Sequence, residues 1–153
     1  MTDWIDDFGK QLEDQEAQRA HYREVFPAQA NRVWRTLVAQ IRHDASRLNA
    51  KYLPIMKGEI KINDRELIPN DNELYVDKLA FPAIRLTLRL NTSAGGITID
   101  QTRKETVEGS YGETSERLEL QLTSSDQITI KDSNGQEFTI EDASKYILER
   151  FLK

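Results

Sequence analysis

The sequence predicts an α+β domain, in which an N-terminal helical region and a C-terminal helix pack on the same face of an antiparallel meander sheet of five to seven strands. Two periodicities predict this fold class. Apolar residues recur with helical spacing before residue 50 and after residue 140, and they alternate with polar residues in between. The alternation gives each strand one apolar face, which needs helices to cover it. A chain of 153 residues is long enough for one such domain over residues 1–153.

The longest predicted helix runs from about Pro27 to Asn49. Proline suits the first turn of a helix, where its missing N–H is not needed. At about 100° per residue, seven apolar side chains share one arc of this helix: Ala30, Val33, Trp34, Leu37, Ile41, Ala45 and Leu48. Three basic side chains lie on the opposite side: Arg32, Arg35 and Arg42.

The segment before this helix carries a shorter apolar stripe within residues 3–24. Four large side chains form the stripe: Trp4, Ile5, Phe8 and Leu12. An isolated helix with so small an apolar face is marginal in water, so the segment has to dock on its own domain or on a partner. Pro27 is then expected to make either a kink or a tight reversal. Residues 1–26 are therefore a candidate helical arm, docked separately or in contact with a partner.

The clearest predicted strand covers residues 84–90, where four aliphatic residues alternate with Arg85, Thr87 and Arg89. That polar face could bind a ligand, but a mixture of both charge signs is typical of a sheet face in water. We expect these arginines to be solvated and paired across the strands. Further along, Asn134-Gly135 predicts a tight hairpin, and Thr139 with Asp142 forms an approximate capping box that starts the last helix.

Composition argues against several classes of function. The formal net charge is −5, which does not favour binding to nucleic acid or to an anionic membrane. The chain has no cysteine, which excludes disulfides, zinc–thiolate sites and cysteine nucleophiles. The longest apolar run is far too short to span a bilayer, and the acidic N-terminus has no secretory pattern. We predict a cytoplasmic location, with neither nucleic acid nor membrane as a partner.

The search for catalytic chemistry finds no constellation. The two histidines, His21 and His43, supply too few ligands for a zinc centre. Neither a nucleophile elbow nor a phosphate-binding loop is present. We therefore predict no catalytic residue, no cofactor and no metal, and the interpretation leans away from an enzyme.

Charge is distributed unevenly along the helical region. Residues 1–26 carry seven acidic and three basic side chains, whereas residues 27–51 carry one acidic and five basic side chains. The two segments complement each other electrostatically, within the chain or across a dimer. This self-pairing explains the basic stripe better than nucleic-acid binding does.

Two functional hypotheses follow. The first is a non-enzymatic protein-interaction or self-associating domain that forms a homodimer. Its contact residues would come from the apolar stripe and from the basic stripe: Trp4, Ile5, Phe8, Leu12, Arg32, Arg35 and Arg42. The alternative is a carrier of a small apolar ligand, in a cavity between the curved sheet and the long helix. The candidate lining of that cavity is Trp34, Met56 and Phe81. An enzyme is the least favoured reading.

Overall fold

The computed structural model describes residues 3–63, 65 and 71–153. A single long helix, α1 (Trp4–Met56), precedes the strands, and α2 (Ile140–Leu148) follows them and continues into a 3₁₀ helix at Glu149–Leu152. The strands between them are β1 (Lys61–Ile62), β2 (Glu73–Lys78), β3 (Ala83–Asn91), β4 (Gly96–Lys104), β5 (Gly112–Leu122), β6 (Ile128–Lys131) and β7 (Glu137–Phe138). The predicted α+β fold class is confirmed.

The described strands form one curled sheet in chain order, from β1 to β7, and every neighbouring pair is antiparallel. The turn before β4 and the turn before β7 use Gly95 and Gly135, both with positive φ, which glycine adopts at little cost. The predicted meander and the Asn134-Gly135 hairpin are therefore confirmed. This topology leaves one face of the sheet for the helices.

The hydrophobic core lies between that face and the two helices. From α1 it takes Phe26, Ala30, Trp34, Leu37, Ile41 and Ala45, which belong to the predicted stripe or extend it. From the sheet it takes the alternating aliphatic residues of β2 to β6, and from the C-terminal region Ala143, Ile147, Leu148 and Phe151. Alternation and helical spacing thus predicted most of the core.

The N-terminal helix is much longer than the sequence predicts. It passes through Pro27 with helical backbone angles, so the predicted reversal there is wrong. Among the described residues of α1, the angles depart from helical values at Tyr52 (φ −128°, ψ 16°), two residues before Pro54. Proline disfavours helical geometry in the residues just before it, which accounts for the position of this kink. Residues 27–49 are the central part of α1.

The capping box that starts α2 is confirmed. Thr139 Oγ1 accepts from the Asp142 N–H at 3.1 Å, and Asp142 Oδ2 accepts from the Thr139 N–H at 3.2 Å. One turn on, Ser144 Oγ donates to Asp44 Oδ2 at 2.7 Å, which ties α2 to the second half of α1. The two helices therefore lie side by side over the sheet.

Candidate functional site

The first candidate surface is the exposed beginning of α1, residues 4–20, here called the arm. Its four large apolar side chains are half or more exposed: Trp4 72%, Ile5 57%, Phe8 54% and Leu12 50%. With 17 residues at about 1.5 Å each, the arm extends roughly 26 Å along the helix axis. Its apolar stripe faces solvent in the single chain.

The contacts between α1 and the rest of the chain begin just after the arm. His21 Nε2 lies 2.9 Å from Asp126 Oδ1, in the turn between β5 and β6. The ring of Tyr22 stacks on Phe26, with centroids 4.9 Å apart, and Phe26 is the first fully buried residue of the helix. The sheet therefore ends where the arm begins, and the arm does not fold back onto its own domain.

The stripe on the arm continues the core-facing side of α1. Phe8 and Phe26 are separated by about five helical turns, as are Leu12 and Ala30, so each pair points in the same direction. Phe26 and Ala30 are buried against the sheet, whereas Phe8 and Leu12 have no sheet beneath them. The arm thus has the hydrophobic side of a packed helix without the surface that would cover it.

The arm is also strongly acidic. Its residues include five carboxylates and two basic side chains. Within the described chain, Glu16 forms an ion pair with Arg23 at 2.7 Å, and Asp3 caps the helix by accepting from the Ile5 N–H. The remaining arm carboxylates, Asp6, Asp7, Glu13 and Asp14, have no partner among the residues that the structure describes.

The second candidate surface is a groove formed by two adjoining cavities of about 490 and 450 Å³. It lies between the last turns of α1, the C-terminal helices and the turn between β2 and β3. The cavities share Leu48, Tyr52, Leu152 and Lys153, so they form one continuous feature. We call it the groove.

The floor of the groove is apolar and its rim is basic. Apolar residues supply the floor: Leu48, Tyr52, Ile55, Met56, Pro82, Leu148, Phe151 and Leu152. Six lining residues are basic and two are acidic. The basic ones are Arg47, Lys51, Lys57, Lys78, Lys145 and Lys153.

Most of the basic rim is free to bind an anion. Asp44 is already engaged by Ser144, and Glu149 lies 3.8 Å from Lys153 Nζ. Buried Lys78 donates from Nζ to the Met56 carbonyl at 3.1 Å, and burial lowers the pKa of its ammonium, with a smaller contribution from Arg103 and Lys57. In contrast, four exposed rim residues have no ion-pair partner in the described chain: Arg47, Lys51, Lys57 and Lys145.

The structure does not bring the three predicted cavity residues together. Trp34 is buried in the core and donates from Nε1 to the Asp71 carbonyl at 2.5 Å. Met56 lies roughly 33 Å further along α1, in the floor of the groove. Phe81 is partly exposed in the turn before Pro82, which itself lines the groove. Of the three residues, Met56 lines the groove beside α2.

The predicted basic stripe is exposed on the opposite side of α1. Arg32, Arg35 and Arg42 are solvent-exposed, and none has an ion-pair partner among the described residues. Because α1 is one continuous helix, the arm cannot turn back to neutralise these arginines. Any such neutralisation would have to come from another molecule.

The arginines of β3 behave as the sequence predicts. Arg89 Nε lies 3.1 Å from Glu73 Oε1, and Arg85 Nε lies 3.6 Å from Asp77 Oδ1. Each arginine stands directly opposite its acidic partner in the register between β2 and β3. Cross-strand pairing is therefore confirmed.

Sequence reasoning missed the burial of Asp77 on this face. The Asp77 side chain is covered by Arg65, whose Nε lies 2.9 Å from Asp77 Oδ2 and whose guanidinium stacks 4.5 Å above the Tyr75 ring. Neither arginine Nε makes an aligned hydrogen bond to the carboxylate. Burial raises the pKa of the Asp77 carboxyl, although Arg65 and Arg85 oppose the shift. Of this cluster, Arg85 alone lines one of the four cavities described.

Two further findings limit the chemistry. Across residues 3–63, 65 and 71–153, no group of three or more His, Cys, Asp or Glu side chains is placed to hold a metal ion. None of the helices in the same part of the chain combines the length and apolarity needed to cross a membrane. In the part of the chain that the structure describes, the arm and the groove each combine exposed apolar side chains with charged side chains that have no ion-pair partner.

Comparison with protein families, with curated proteins and with solved structures gives no match to this chain. Function is therefore argued from the two surfaces themselves.

Proposed function

We propose that this chain is a non-enzymatic protein-interaction domain that self-associates through the arm. One observation carries the proposal: four large apolar side chains at the start of α1 are half or more exposed, and nothing in the described chain covers them. A contiguous apolar patch of this kind marks an interaction site, because leaving it in water costs free energy. A helix that makes no tertiary contacts is also marginal by itself, so docking stabilises it.

A second copy fits the arm better than an unrelated partner does. The arm is acidic, and the same chain carries unpaired basic side chains on the groove and on the Arg32, Arg35 and Arg42 stripe. Opposite charges on two copies of one molecule attract each other and set their orientation. We also place the protein in the cytoplasm, which the absence of cysteine permits.

The test compares the full chain with a variant that lacks residues 3–20. These residues include no buried side chain, so the variant keeps the whole core. Light scattering after size-exclusion chromatography should give an oligomeric mass for the full chain and a monomeric mass for the variant. A second variant replaces all four stripe residues by glutamine, which favours helix but removes the apolar contacts.

A matched control keeps the stripe and replaces two polar residues on the opposite side of the arm, Lys10 and Glu13, by alanine. This control should retain the oligomeric mass. A full-length protein that stays monomeric at its highest soluble concentration contradicts the proposal, as does an oligomer that survives loss of the arm.

The alternative function, a carrier of a small apolar ligand, is supported by the apolar floor of the groove, to which Met56 belongs. A pocket of several hundred Å³ with an apolar lining is typical of small-molecule sites. Native mass spectrometry of the purified protein separates the two functions. A carrier should be a monomer with added ligand mass, whereas a self-associating domain should be an oligomer of bare chains.

A further inference from the structure

We propose that the arm of one copy docks in the groove of a second copy, in a head-to-tail contact. The inference rests on the proposed self-association and adds the surface that receives the arm. It joins the two surfaces of the chain whose apolar and charged groups lack partners.

The apolar parts of the two surfaces correspond. The arm offers an aromatic and aliphatic stripe, and the groove offers a floor of similar composition in which Tyr52, Ile55 and Leu152 are about half exposed or more. The arm cannot reach the groove of its own chain. Leu12 and Leu48 are roughly 54 Å apart along one continuous helix, so the contact has to form between two molecules.

The charged parts correspond as well. The acidic side chains of the arm would meet a rim with six basic and two acidic residues. At about 100° per residue, Asp7 and Asp14 flank the stripe on the same edge of α1 on which Arg47 flanks Leu48. These carboxylates and Arg47 have no partners in the described chain, so docking would not break an existing ion pair.

The direction of the two surfaces on α1 sets the arrangement of the copies. Leu12 and Leu48 are separated by about ten helical turns and therefore lie on the same side of the helix. Between them, that side of α1 is covered by the chain's own sheet, with Ala30, Leu37 and Ile41 completely buried. Two α1 helices therefore cannot pair side by side, and the arm of one copy meets the groove of the next in a head-to-tail contact.

A charge-swap experiment tests the inference. The groove variant Arg47→Glu/Lys51→Glu and the arm variant Asp7→Lys/Asp14→Lys should each be monomeric, because like charges then face each other where the arm meets the groove. We expect the dissociation constant of each variant to rise on the order of 100-fold. In an equimolar mixture each arm finds a groove of opposite charge on the other variant, so association should return to within about tenfold of the wild type.

The control reverses two arginines on the opposite side of the same helix, Arg32→Glu/Arg35→Glu. This variant should associate like the wild type. If it is monomeric while the groove variant still associates, the basic stripe holds the arm and the inference is wrong. A mixture of groove and arm variants that stays monomeric also overturns it.

A crosslinking measurement keeps the test decisive if a charge-reversed variant unfolds. A photoreactive phenylalanine analogue replaces Phe8 in isotope-labelled chains, which are mixed with unlabelled wild-type chains. Crosslinks should connect labelled and unlabelled chains at residues 45–56 or 145–153. Crosslinks to other residues refute the docking site. Native mass spectrometry that shows a monomer with a small amphipathic anion bound also refutes it, because the groove would then hold a small molecule and not the arm.

The experiments separate failure of this inference from failure of the proposed function. If the full chain is monomeric, self-association itself fails. If the full chain is oligomeric and loses its oligomeric mass without the arm, but the groove variant associates normally, only the docking site is wrong.

Discussion

Replacing Phe8 by alanine measures how much the arm contributes to association. Phe8 is 54% exposed in the single chain, so docking has about half of its side chain left to bury. Complete burial of a phenylalanine contributes about 2–3 kcal/mol, and half of that is about 1 kcal/mol per arm.

A loss of about 1 kcal/mol corresponds to a dissociation constant raised roughly fivefold. Sedimentation equilibrium over a dilution series gives the constants of the wild type and of Phe8→Ala on the same scale. Circular dichroism of both proteins shows whether the helix content is kept.

The matched control for this variant is Lys10→Ala. Lys10 is an exposed arm residue on the side of α1 opposite to Phe8. Its replacement should change the dissociation constant less than threefold. Equal effects of the two substitutions, or no effect of Phe8→Ala, would show that the stripe does not form the contact.

Two further predictions concern stability. Leu37→Ala removes a completely buried side chain of α1 and should lower the free energy of unfolding, measured by urea denaturation, by about 3 kcal/mol. Leu12→Ala in the exposed arm should lower the same free energy by less than about 0.5 kcal/mol in dilute monomer. Equal losses would contradict the assigned burial. Burial raises the pKa of the Asp77 carboxyl above its usual value of 3.8, so the native state holds this proton more tightly than the unfolded state does. The stability that Asp77 contributes is then complete below pH 3.8 and is lost as the pH rises through the folded pKa. The difference in unfolding free energy, wild type minus Asp77→Asn, should fall over that range by up to about 1.4 kcal/mol per pH unit. A difference that grows with pH would mean that Arg65 and Arg85 outweigh burial.

The sequence predicted the packed part of the molecule because burial leaves a periodic signal. The stripe from Ala30 to Ala45 and the alternation along β3 appear directly in the residue order. The continuity of α1 through Pro27 was not predictable in the same way. Proline usually interrupts a helix, and here the packing of Phe26 and Ala30 on either side holds the helical angles.

The groove was beyond sequence reasoning because its walls come from distant segments. Residues 44–57 of α1 meet residues 145–153 and the turn at Pro82, and only the fold brings these parts together. The buried Asp77 was missed for a similar reason. Asp77 lies opposite Arg85 in the sheet, but the cover provided by Arg65 comes from outside the neighbouring strands.

The sheet has a property that bears on how the protein behaves when concentrated. Its outermost described strands, β1 and β7, have two residues each. A long unpaired edge presents a row of backbone donors and acceptors that can template strands of other molecules into fibrils, and two residues provide almost none of that row. Crowding should therefore not lead to amyloid through the edges of this sheet.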